Sequence, residues 1–345
     1  MTTKEKIIQI LTGNKADFVS GQSLAQLCGV SRAAVHKTIE SLREQGFLIE
    51  AVTNKGYRLE QQPDRIDGES IQKLIKTQGK DCTVFAFEKI DSTNLEAKRQ
   101  TADRELSRVL FVASEQTAGH GRMGRVFSSP ANCGVYFSLV YRPEGGVKNP
   151  AFLTAVAAVA VKNTIKKLYG EDCKIKWVND VFLNGKKICG ILTEGVTNFE
   201  TGTITTAIVG IGINVRNCNF EGELADVAGS IEEIITAQGK SVPEVSRNEI
   251  AAGVIVELLK IYDSCEEGDS DAVSSAMSEY RKSSLLTGLE VTVNPAAGLE
   301  GKTYRAKVLD ITDEAELVVQ TEDGTVKKLF SGEVSLKSSA FVKHD

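Results

Sequence analysis

A glycine-rich segment, GHGRMGR at residues 119–125, has the composition of a loop that binds an anionic group. Its three glycines let the backbone come close to a ligand and direct N–H groups at it, while His120, Arg122 and Arg125 add positive charge. Backbone amides combined with fixed cations are what a phosphate, or a phosphoryl group in transfer, requires. The segment therefore predicts a phosphate-binding loop, with a flexible surface loop as the alternative.

The same segment contains the spacing G-x-G-x-x-G, and Val126 extends it to the G-x-G-x-x-G-x-V of protein kinases. A dinucleotide-binding fold requires a helix that opens at the last glycine, whereas RVFSSP and then the strand-like GVYFSLV follow here. A kinase requires H-R-D and D-F-G downstream, and the chain contains neither. The residues that follow the glycines therefore exclude both of these folds.

Length, charge and cysteine usage limit the class of protein. The 345 residues suggest two or three domains, and a net charge of −5 means that any nucleic-acid contact must come from a local patch. The seven cysteines lack C-x-x-C spacing, which favours reduced, buried thiols over a disulfide framework or a zinc site. Because no segment reads as a membrane span or a signal peptide, we expect a cytoplasmic protein with no membrane partner.

Residues 1–62 are predicted to form a winged helix-turn-helix domain. In the segment 21–40, Gly29 suits the left-handed turn between two helices, and Ser31 is placed to cap the second helix. The β-rich segment 47–60 contains an Asn-Lys-Gly turn, which predicts a hairpin that forms the wing. Up to residue 60 there are eight basic against six acidic residues, so this part is basic within an acidic chain.

A basic helix-turn-helix favours DNA binding with the second helix in the major groove, and a surface for protein contacts is the alternative. The residues predicted to contact DNA are Gln22, Ser31, Arg32, Ala33, His36, Lys37 and Lys55.

The remainder of the chain changes character at about residue 285. Residues 65–284 alternate strand-like and helical segments, including an Ala/Val-rich buried helix at 151–168 and an Asn184-Gly185 hairpin turn. Residues 285–337 contain short strands separated by Gly and Asp turns, which predicts a small all-β barrel. The fold class is therefore α+β and multidomain, with a central mixed α/β domain.

Several ordered motifs together resemble the biotin–protein ligase family. The segment GHGRMGR is similar to that family's G-R-G-R-x-G-R loop, with His120 in place of an arginine. Further motifs occur in the family's order and spacing: DSTN (91–94), EQTAG (115–119), KWVND (176–180), GKKICGIL (185–192), GIGINV (210–215) and SGEVSL (331–336). In KWVND, Val178 replaces the usual proline. With the helix-turn-helix, the chain resembles the bifunctional members that also repress the biotin operon, from about residue 5 to 336.

The resemblance implies a class II synthetase-like central domain, an SH3-like C-terminal barrel and a two-step reaction. Biotin would attack the α-phosphate of ATP, which enters with Mg²⁺, and the biotinyl group would pass to a lysine of a biotin carboxyl carrier protein. The resemblance also implies a homodimer, promoted by the adenylate, that binds a palindromic operator. A biotin-sensing repressor without transfer activity and a lipoate–protein ligase are the alternatives.

The family motifs also imply individual roles. Lys187 and Arg122 would be the catalytic cations. Biotin binding is implied for Ser92, Thr93, Asn94, Gln116, Gly119, His120, Gly121, Arg122, Lys187, Gly190, Gly210 and Gly212. Nucleotide binding is implied for Arg122, Arg125, Trp177, Asn179, Asp180, Lys187 and Asn214. No metal ligand is assigned by the motifs.

Overall fold

Polar caps and a left-handed turn separate the helices at the N-terminus. The computed structural model describes residues 1–14, 17–44, 47–61, 64–198, 202–294, 303–330 and 333–335. Thr2 and Glu5 form a capping box, Ser20 caps the second helix, and Gly29 ends it with φ of 70°. The elements described in this unit, Met1–Arg65, are α1 (Thr3–Gly13), α2 (Gly21–Cys28), α3 (Arg32–Glu44), β1 (Leu48–Val52) and β2 (Gly56–Gln61).

The core of the N-terminal unit is built from one face of each helix. Val35, Ile39 and Leu42 recur at i, i+4 and i+7 along α3 and are fully buried. They form one cluster with Ile7 and Leu24 of the other two helices. The strands β1 and β2 pair antiparallel as the wing. The predicted winged helix-turn-helix fold is confirmed.

The second unit, Ile66–Asp345, contains the remaining elements. Up to residue 282 these are α4 (Gly68–Thr77), β3 (Thr83–Ile90), α5 (Thr93–Ala102), β4 (Val109–Gln116), β5 (Gly134–Tyr141), α6 (Pro150–Tyr169), β6 (Lys174–Lys176), β7 (Asp180–Leu183), β8 (Lys186–Thr197), β9 (Ile204–Asn214), α7 (Glu223–Val227), α8 (Ile231–Ala237), α9 (Arg247–Glu266) and α10 (Ser270–Lys282). The described strands form a seven-stranded sheet in the order β3-β4-β5-β9-β8-β7-β6. The β3–β4 pair is parallel and the other neighbours are antiparallel.

The two faces of this sheet are covered differently. Alternate residues of β4 point to opposite faces, so that Leu110 and Val112 join the main core with α6 and α9, while Val109 and Phe111 join a smaller cluster with Ala97 of α5. The two long helices therefore fill one face, and α5 packs on the other. This arrangement brings the first turn of α5 to the end of β4, where the glycine-rich loop begins.

The C-terminal strands form a separate sheet within the second unit. The described strands β10 (Glu290–Asn294), β11 (Tyr304–Ile311), β12 (Leu317–Thr321), β13 (Val326–Leu329) and β14 (Glu333–Ser335) are antiparallel neighbours in the order β13-β12-β11-β10-β14. Alternate residues such as Val291, Val308 and Val319 are buried, as expected for a sheet with one solvated face. The sheet is SH3-like, as predicted. The predicted boundaries at 62 and 337 lie outside the described residues, and that at 284/285 stays a prediction.

One predicted strand is interrupted. The segment before the Asn184-Gly185 turn is not a single strand but β6 and β7, separated by a turn whose Trp177–Val178 peptide bond is cis. The turn is held by tertiary contacts: Trp177 Nε1 donates to Ala315 O at 2.8 Å, and the Tyr280 hydroxyl donates to Val178 O at 3.2 Å. Because these partners are more than 100 residues away, local sequence did not reveal the break.

Two cysteines are paired, contrary to the expectation of reduced thiols throughout. Cys133 and Cys218 form a disulfide, and the other five cysteines, all within the described ranges, are free. The pairing follows from sheet topology, because Gly134 at the start of β5 lies opposite Asn214 at the end of β9. Scattered spacing in the sequence therefore concealed a contact between residues 85 positions apart.

Among the described helices, none is long and apolar enough to cross a membrane.

The buried stripe of α3 generates a stability prediction. Ile39→Ala removes a fully buried side chain from the core of the small N-terminal unit and should cost about 2–5 kcal/mol of unfolding free energy. Urea unfolding followed by circular dichroism would measure the loss. Lys37→Ala, on the exposed face of the same helix, is the matched control and should change stability by less than about 0.5 kcal/mol. Equal effects of the two substitutions would contradict the packing described for this helix.

Candidate active site

A cleft of about 380 Å³ opens where the first turn of α5, the glycine-rich loop and strands β7, β8 and β9 come together. All of the residues predicted for catalysis, biotin or nucleotide line this cleft, except Gly119. They are Ser92, Thr93, Asn94, Gln116, His120, Gly121, Arg122, Arg125, Trp177, Asn179, Asp180, Lys187, Gly190, Gly210, Gly212 and Asn214. Residues from six sequence motifs are thus brought to one place, while their individual roles stay predictions.

Close packing leaves no room for a side chain at Gly119, and this residue does not line the cleft. A Cβ atom at this position would lie 2.6 Å from Phe127 O and 2.7 Å from Ser129 Oγ. Phe127 N also donates to Gly119 O at 2.9 Å, so the two ends of the loop lie side by side. Gly119 therefore contributes to the shape of the loop, and its predicted contact with biotin has no support from its position.

The rest of the glycine-rich loop folds back on itself. Gly121 N donates to Arg125 O at 2.7 Å, and Arg122–Gly124 forms a short 3-10 turn in which Met123 and Gly124 have positive φ. The side chains of Met123 and Val126 are exposed. The turn thereby places Arg122 and Arg125 along the cleft wall, while the binding of a phosphate by this loop stays a prediction.

Two adjacent residues hold the two predicted catalytic cations. Asn179 Oδ1 accepts a hydrogen bond from Arg122 Nη1 at 3.3 Å, and Asp180 Oδ1 lies 2.7 Å from Lys187 Nζ. Asn179 is itself held, because its Nδ2 donates to Ile191 O at 3.0 Å. An arginine from the loop and a lysine from β8 consequently converge beside the start of β7. Such a pair of cations can neutralise two anionic groups that approach each other.

The polar end of the cleft is a chain of hydrogen bonds between side chains. Thr93 N donates to Gln116 Oε1 at 2.8 Å, and Gln116 Nε2 donates to Ser129 Oγ at 2.9 Å. Ser138, fully buried on β5, lies 2.7 Å from Thr93 Oγ1 and 2.5 Å from Asn94 Oδ1. The hydroxyls and amides expected to face a ligand are therefore oriented by one another.

Glu194 of β8 extends this chain and was not predicted. Its carboxylate accepts from Asn94 Nδ2 at 2.8 Å and Lys98 Nζ at 2.7 Å, and lies 3.8 Å from His120 Nε2. Burial alone would raise the pKa of the Glu194 carboxyl, but the hydrogen bonds from Lys98 and Asn94 outweigh it and lower that pKa. The pattern of β8 contains no local signal for this role, since a single glutamate in a strand is ordinary.

Side chains of the protein fill the space above the cleft glycines. A Cβ at Gly210 would overlap the carboxamide of Asn94, and a Cβ at Gly190 or Gly212 would overlap the ring of Phe127. The family resemblance implies biotin binding for these glycines, and that role stays a prediction. The structure supplies another physical reason for them, and Phe127 is a cleft residue that the sequence reasoning missed.

The opposite end of the cleft combines an apolar wall with one polar acceptor. Phe220, Leu224 and Val227, which follow β9, form that wall and were also not predicted. Asn214 Nδ2 donates to Gly229 O at 3.2 Å, while the buried Asn214 Oδ1 has no hydrogen-bond partner among the described residues. The apolar surface suits the face of a flat heteroaromatic ring.

The residues predicted to contact DNA all have exposed side chains. Gln22 on α2, Lys55 at the wing turn, and Ser31, Arg32, Ala33, His36 and Lys37 at the start of α3 are all exposed. Ser31 Oγ also accepts from Ala34 N at 3.2 Å, as expected for an N-cap. The first turns of α3 therefore present polar and basic side chains to solvent, as a recognition helix requires.

Three family models match the chain, one for each part of the fold. Residues 3–58 match an HTH domain, residues 84–214 match the Biotin/lipoate A/B protein ligase family, and residues 296–337 match the Biotin protein ligase C terminal domain. The central match spans the glycine-rich loop and the strands that carry Lys187 and Asn214.

Relatives with the same arrangement extend over nearly the whole chain. The Bifunctional ligase/repressor BirA of Bacillus subtilis (strain 168) is 34% identical, over 97% of this chain and 99% of that protein. BirA of Escherichia coli (strain K12) is 28% identical over 98% of each. The structure of biotin protein ligase from Aquifex aeolicus in complex with biotin and ATP superposes with a TM-score of 0.60 at 26% identity, covering 74% of this chain and 98% of that one. The chain belongs to the BirA family of bifunctional biotin–protein ligases and repressors.

Proposed function

We propose that this ligase joins biotin to AMP, transfers the biotinyl group to a lysine of a biotin carboxyl carrier protein, and represses biotin genes in response to the intermediate. The observation that carries the first step is the convergence of Arg122 and Lys187 on the neighbouring residues Asn179 and Asp180. A biotin carboxylate and an ATP phosphate repel each other in water. A cleft with two held cations and a loop of backbone amides reduces that repulsion where the new bond forms.

In the first step, a carboxylate oxygen of biotin attacks the α-phosphorus of ATP, the bond to the bridging oxygen breaks, and pyrophosphate leaves. Lys187 stabilises the charge on the α-phosphate oxygens during the attack, and Arg122 holds the carboxylate and the phosphate together. In the second step, the amine of the carrier lysine attacks the biotinyl carbonyl and AMP leaves. Both steps develop negative charge at the same place, so the same cations act in each.

The nucleotide fits the end of the cleft that contains Asn214. The apolar side chains of Phe220, Leu224 and Val227 suit the faces of an adenine ring. Biotin then occupies the polar end near Thr93 and Gln116, where a small neutral ring finds hydroxyl and amide partners. The two reacting groups meet between these ends, beside Lys187.

Mg²⁺ enters as part of the nucleotide substrate. Among the described residues, no group of three His, Cys, Asp or Glu side chains is arranged to hold a metal ion, and Asp180 is already paired with Lys187. Magnesium is commonly bound through one or two carboxylates together with substrate phosphates. The phosphates of ATP therefore supply most of its ligands here.

The regulatory part of the proposal joins the ligase to the N-terminal unit. Occupation of the cleft by the adenylate favours a homodimer, which presents two recognition helices to a palindromic operator. When carrier protein is abundant, the adenylate is consumed and repression is relieved. The exposed basic start of α3 and the wing lysine support the DNA contact.

The decisive experiment for the ligase function combines the protein with ATP, biotin and a carrier domain. We expect biotinyl-adenylate without carrier and biotinylated carrier lysine with it, both detected by mass spectrometry. Adenylate formation without carrier labelling would favour the biotin-sensing repressor instead. Preferential activation of lipoate in competition with biotin would favour a lipoate–protein ligase.

Lys187→Ala should slow adenylation by about 10²- to 10³-fold, because it removes one cation from the reacting phosphate.

Lys260→Ala is the matched control for Lys187→Ala. Lys260 is an exposed lysine of α9 paired with Glu257, and its loss should leave adenylation unchanged. Circular dichroism would verify that both variants are folded. Near-normal adenylation by the Lys187 variant would remove this lysine from the proposed mechanism.

Arg122→Gly should weaken retention of the intermediate more than it slows its formation. A lost charge-assisted contact of about 1.5–3 kcal/mol corresponds to release of biotinyl-adenylate roughly 10- to 100-fold faster. Filtration of the preformed complex would measure the release rate, and labelling of bystander proteins would report escape of the reactive intermediate. Retention equal to that of the parent protein would contradict the assignment of Arg122.

Lys37→Ala should weaken operator binding and lower its salt dependence. Removing one phosphate contact is expected to reduce the slope of log K against log salt by about 1. Operator duplexes would first be selected from random DNA with the adenylate-bound protein, and affinities measured across a salt titration. Lys73→Ala on the exposed surface of α4 serves as the control. An unchanged slope in the Lys37 variant would favour a protein-binding role for the wing and helix.

A further inference from the structure

The direction of the hydrogen bonds at the polar end of the cleft is determined by Glu194. An ionised carboxylate can only accept hydrogen bonds, and Glu194 Oε2 lies 2.8 Å from the carboxamide of Asn94. The carbonyl of Leu192, another group that only accepts, lies 3.4 Å from the same end of that carboxamide. The amide nitrogen of Asn94 must therefore face Glu194, and its oxygen must face Ser138.

The directions of the next two hydrogen bonds, made by Ser138 and Thr93, follow from this orientation. Asn94 Oδ1 accepts only, so the Ser138 hydroxyl, at 2.5 Å, donates its single proton to it. Ser138 Oγ then has only lone pairs for Thr93 Oγ1 at 2.7 Å, so the Thr93 hydroxyl donates to Ser138. Gln116 Oε1 accepts from the backbone N–H of Thr93 at 2.8 Å and also lies 3.1 Å from the Thr93 hydroxyl, a longer contact than the 2.7 Å between that hydroxyl and Ser138.

The direction of these hydrogen bonds determines what the Thr93 hydroxyl offers to a ligand in the cleft. Thr93 lines the cleft, and its single hydroxyl proton is directed to Ser138 at 2.7 Å, with Gln116 Oε1 as a second acceptor at 3.1 Å, so its oxygen presents lone pairs to a ligand. A ligand ring that binds here must bring an N–H or O–H donor. The ureido ring of biotin carries N–H groups, whereas the dithiolane ring of lipoate carries none.

We propose that Glu194 is a positioning residue which, through Asn94 and Ser138, makes the Thr93 hydroxyl a hydrogen-bond acceptor and so selects a ring with an N–H donor. The proposal rests on the proposed biotin ligase function and adds a source of its specificity. Glu194 does not line the cleft, and it acts on the ligand only through the chain of hydrogen bonds. Lys98 donates to Glu194 Oε1 at 2.7 Å and neutralises the carboxylate, whereas Asn94 donates to the other oxygen, Oε2.

Glu194→Gln tests the direction of the chain with almost no change in shape. Because a glutamine amide can donate as well as accept, Asn94 can then reverse, and the acceptor at Thr93 is no longer enforced. We expect the KM for biotin in adenylate formation to rise by about 5- to 10-fold, the factor that corresponds to one hydrogen bond of about 1 kcal/mol. The KM for ATP and kcat should stay within about twofold, which separates ligand positioning from a general loss of structure.

Two further substitutions separate this role from an ordinary ion pair. Lys98→Met breaks the pair but retains a carboxylate that only accepts, so at pH 8 the KM for biotin should change by less than about threefold. Glu171→Gln alters a half-buried carboxylate paired with Lys240 at 2.6 Å and should leave all kinetic parameters unchanged. If Lys98→Met raises the KM for biotin as much as Glu194→Gln does, the effect comes from the lost ion pair and the proposal is overturned.

A double-mutant cycle with Ser138→Ala tests whether the effect travels through the chain. Ser138→Ala interrupts the chain, so adding Glu194→Gln to it should raise the KM for biotin by less than about twofold more. Fully additive effects would indicate that Glu194 acts by another route, such as His120 at 3.8 Å, and would overturn the proposal. Wild-type protein that forms no adenylate would contradict the proposed function and this inference together, whereas an unchanged KM in Glu194→Gln would overturn the inference alone.

Discussion

Asn179 and Asp180, at the start of β7, hold an arginine and a lysine that come from different parts of the chain. The amide accepts a hydrogen bond from Arg122, and the carboxylate pairs with Lys187, so both side chains are held in the cleft. In the proposed reaction, cations oriented in advance would need little reorganisation when two anionic substrates meet, which is the condition for strong electrostatic stabilisation.

The rest of the catalytic part of the chain positions this pair. Helices α6 and α9 cover one face of the seven-stranded sheet with apolar side chains, and α5 packs on the opposite face. The first turn of α5 and the glycine-rich loop line the cleft. Phe127 covers Gly190 and Gly212, and Asn94 occupies the space above Gly210. The glycines of the cleft thus serve close packing within the protein.

The two ends of the cleft use different chemistry. At one end a chain of hydrogen bonds from Glu194 to Thr93 orients polar groups, and its direction depends on a single ionised carboxylate. At the other end, Phe220, Leu224 and Val227 give the cleft an apolar lining near Asn214. In the proposed reaction, a small polar ring and a flat heteroaromatic ring would therefore bind at separate places in the cleft.

Sequence alone determined the features that depend on local patterns: the helix-turn-helix from Gly29 and Ser31, the buried helix α6, the glycine-rich loop, and the motifs that line the cleft. Tertiary structure decided the features that depend on distant partners. The break between β6 and β7 is held by Ala315 and Tyr280, and Cys133 meets Cys218 only because β5 pairs with β9. Glu194 and Phe127 acquire their positions in the same way. No local spacing encodes such contacts, because they arise from which strands become neighbours.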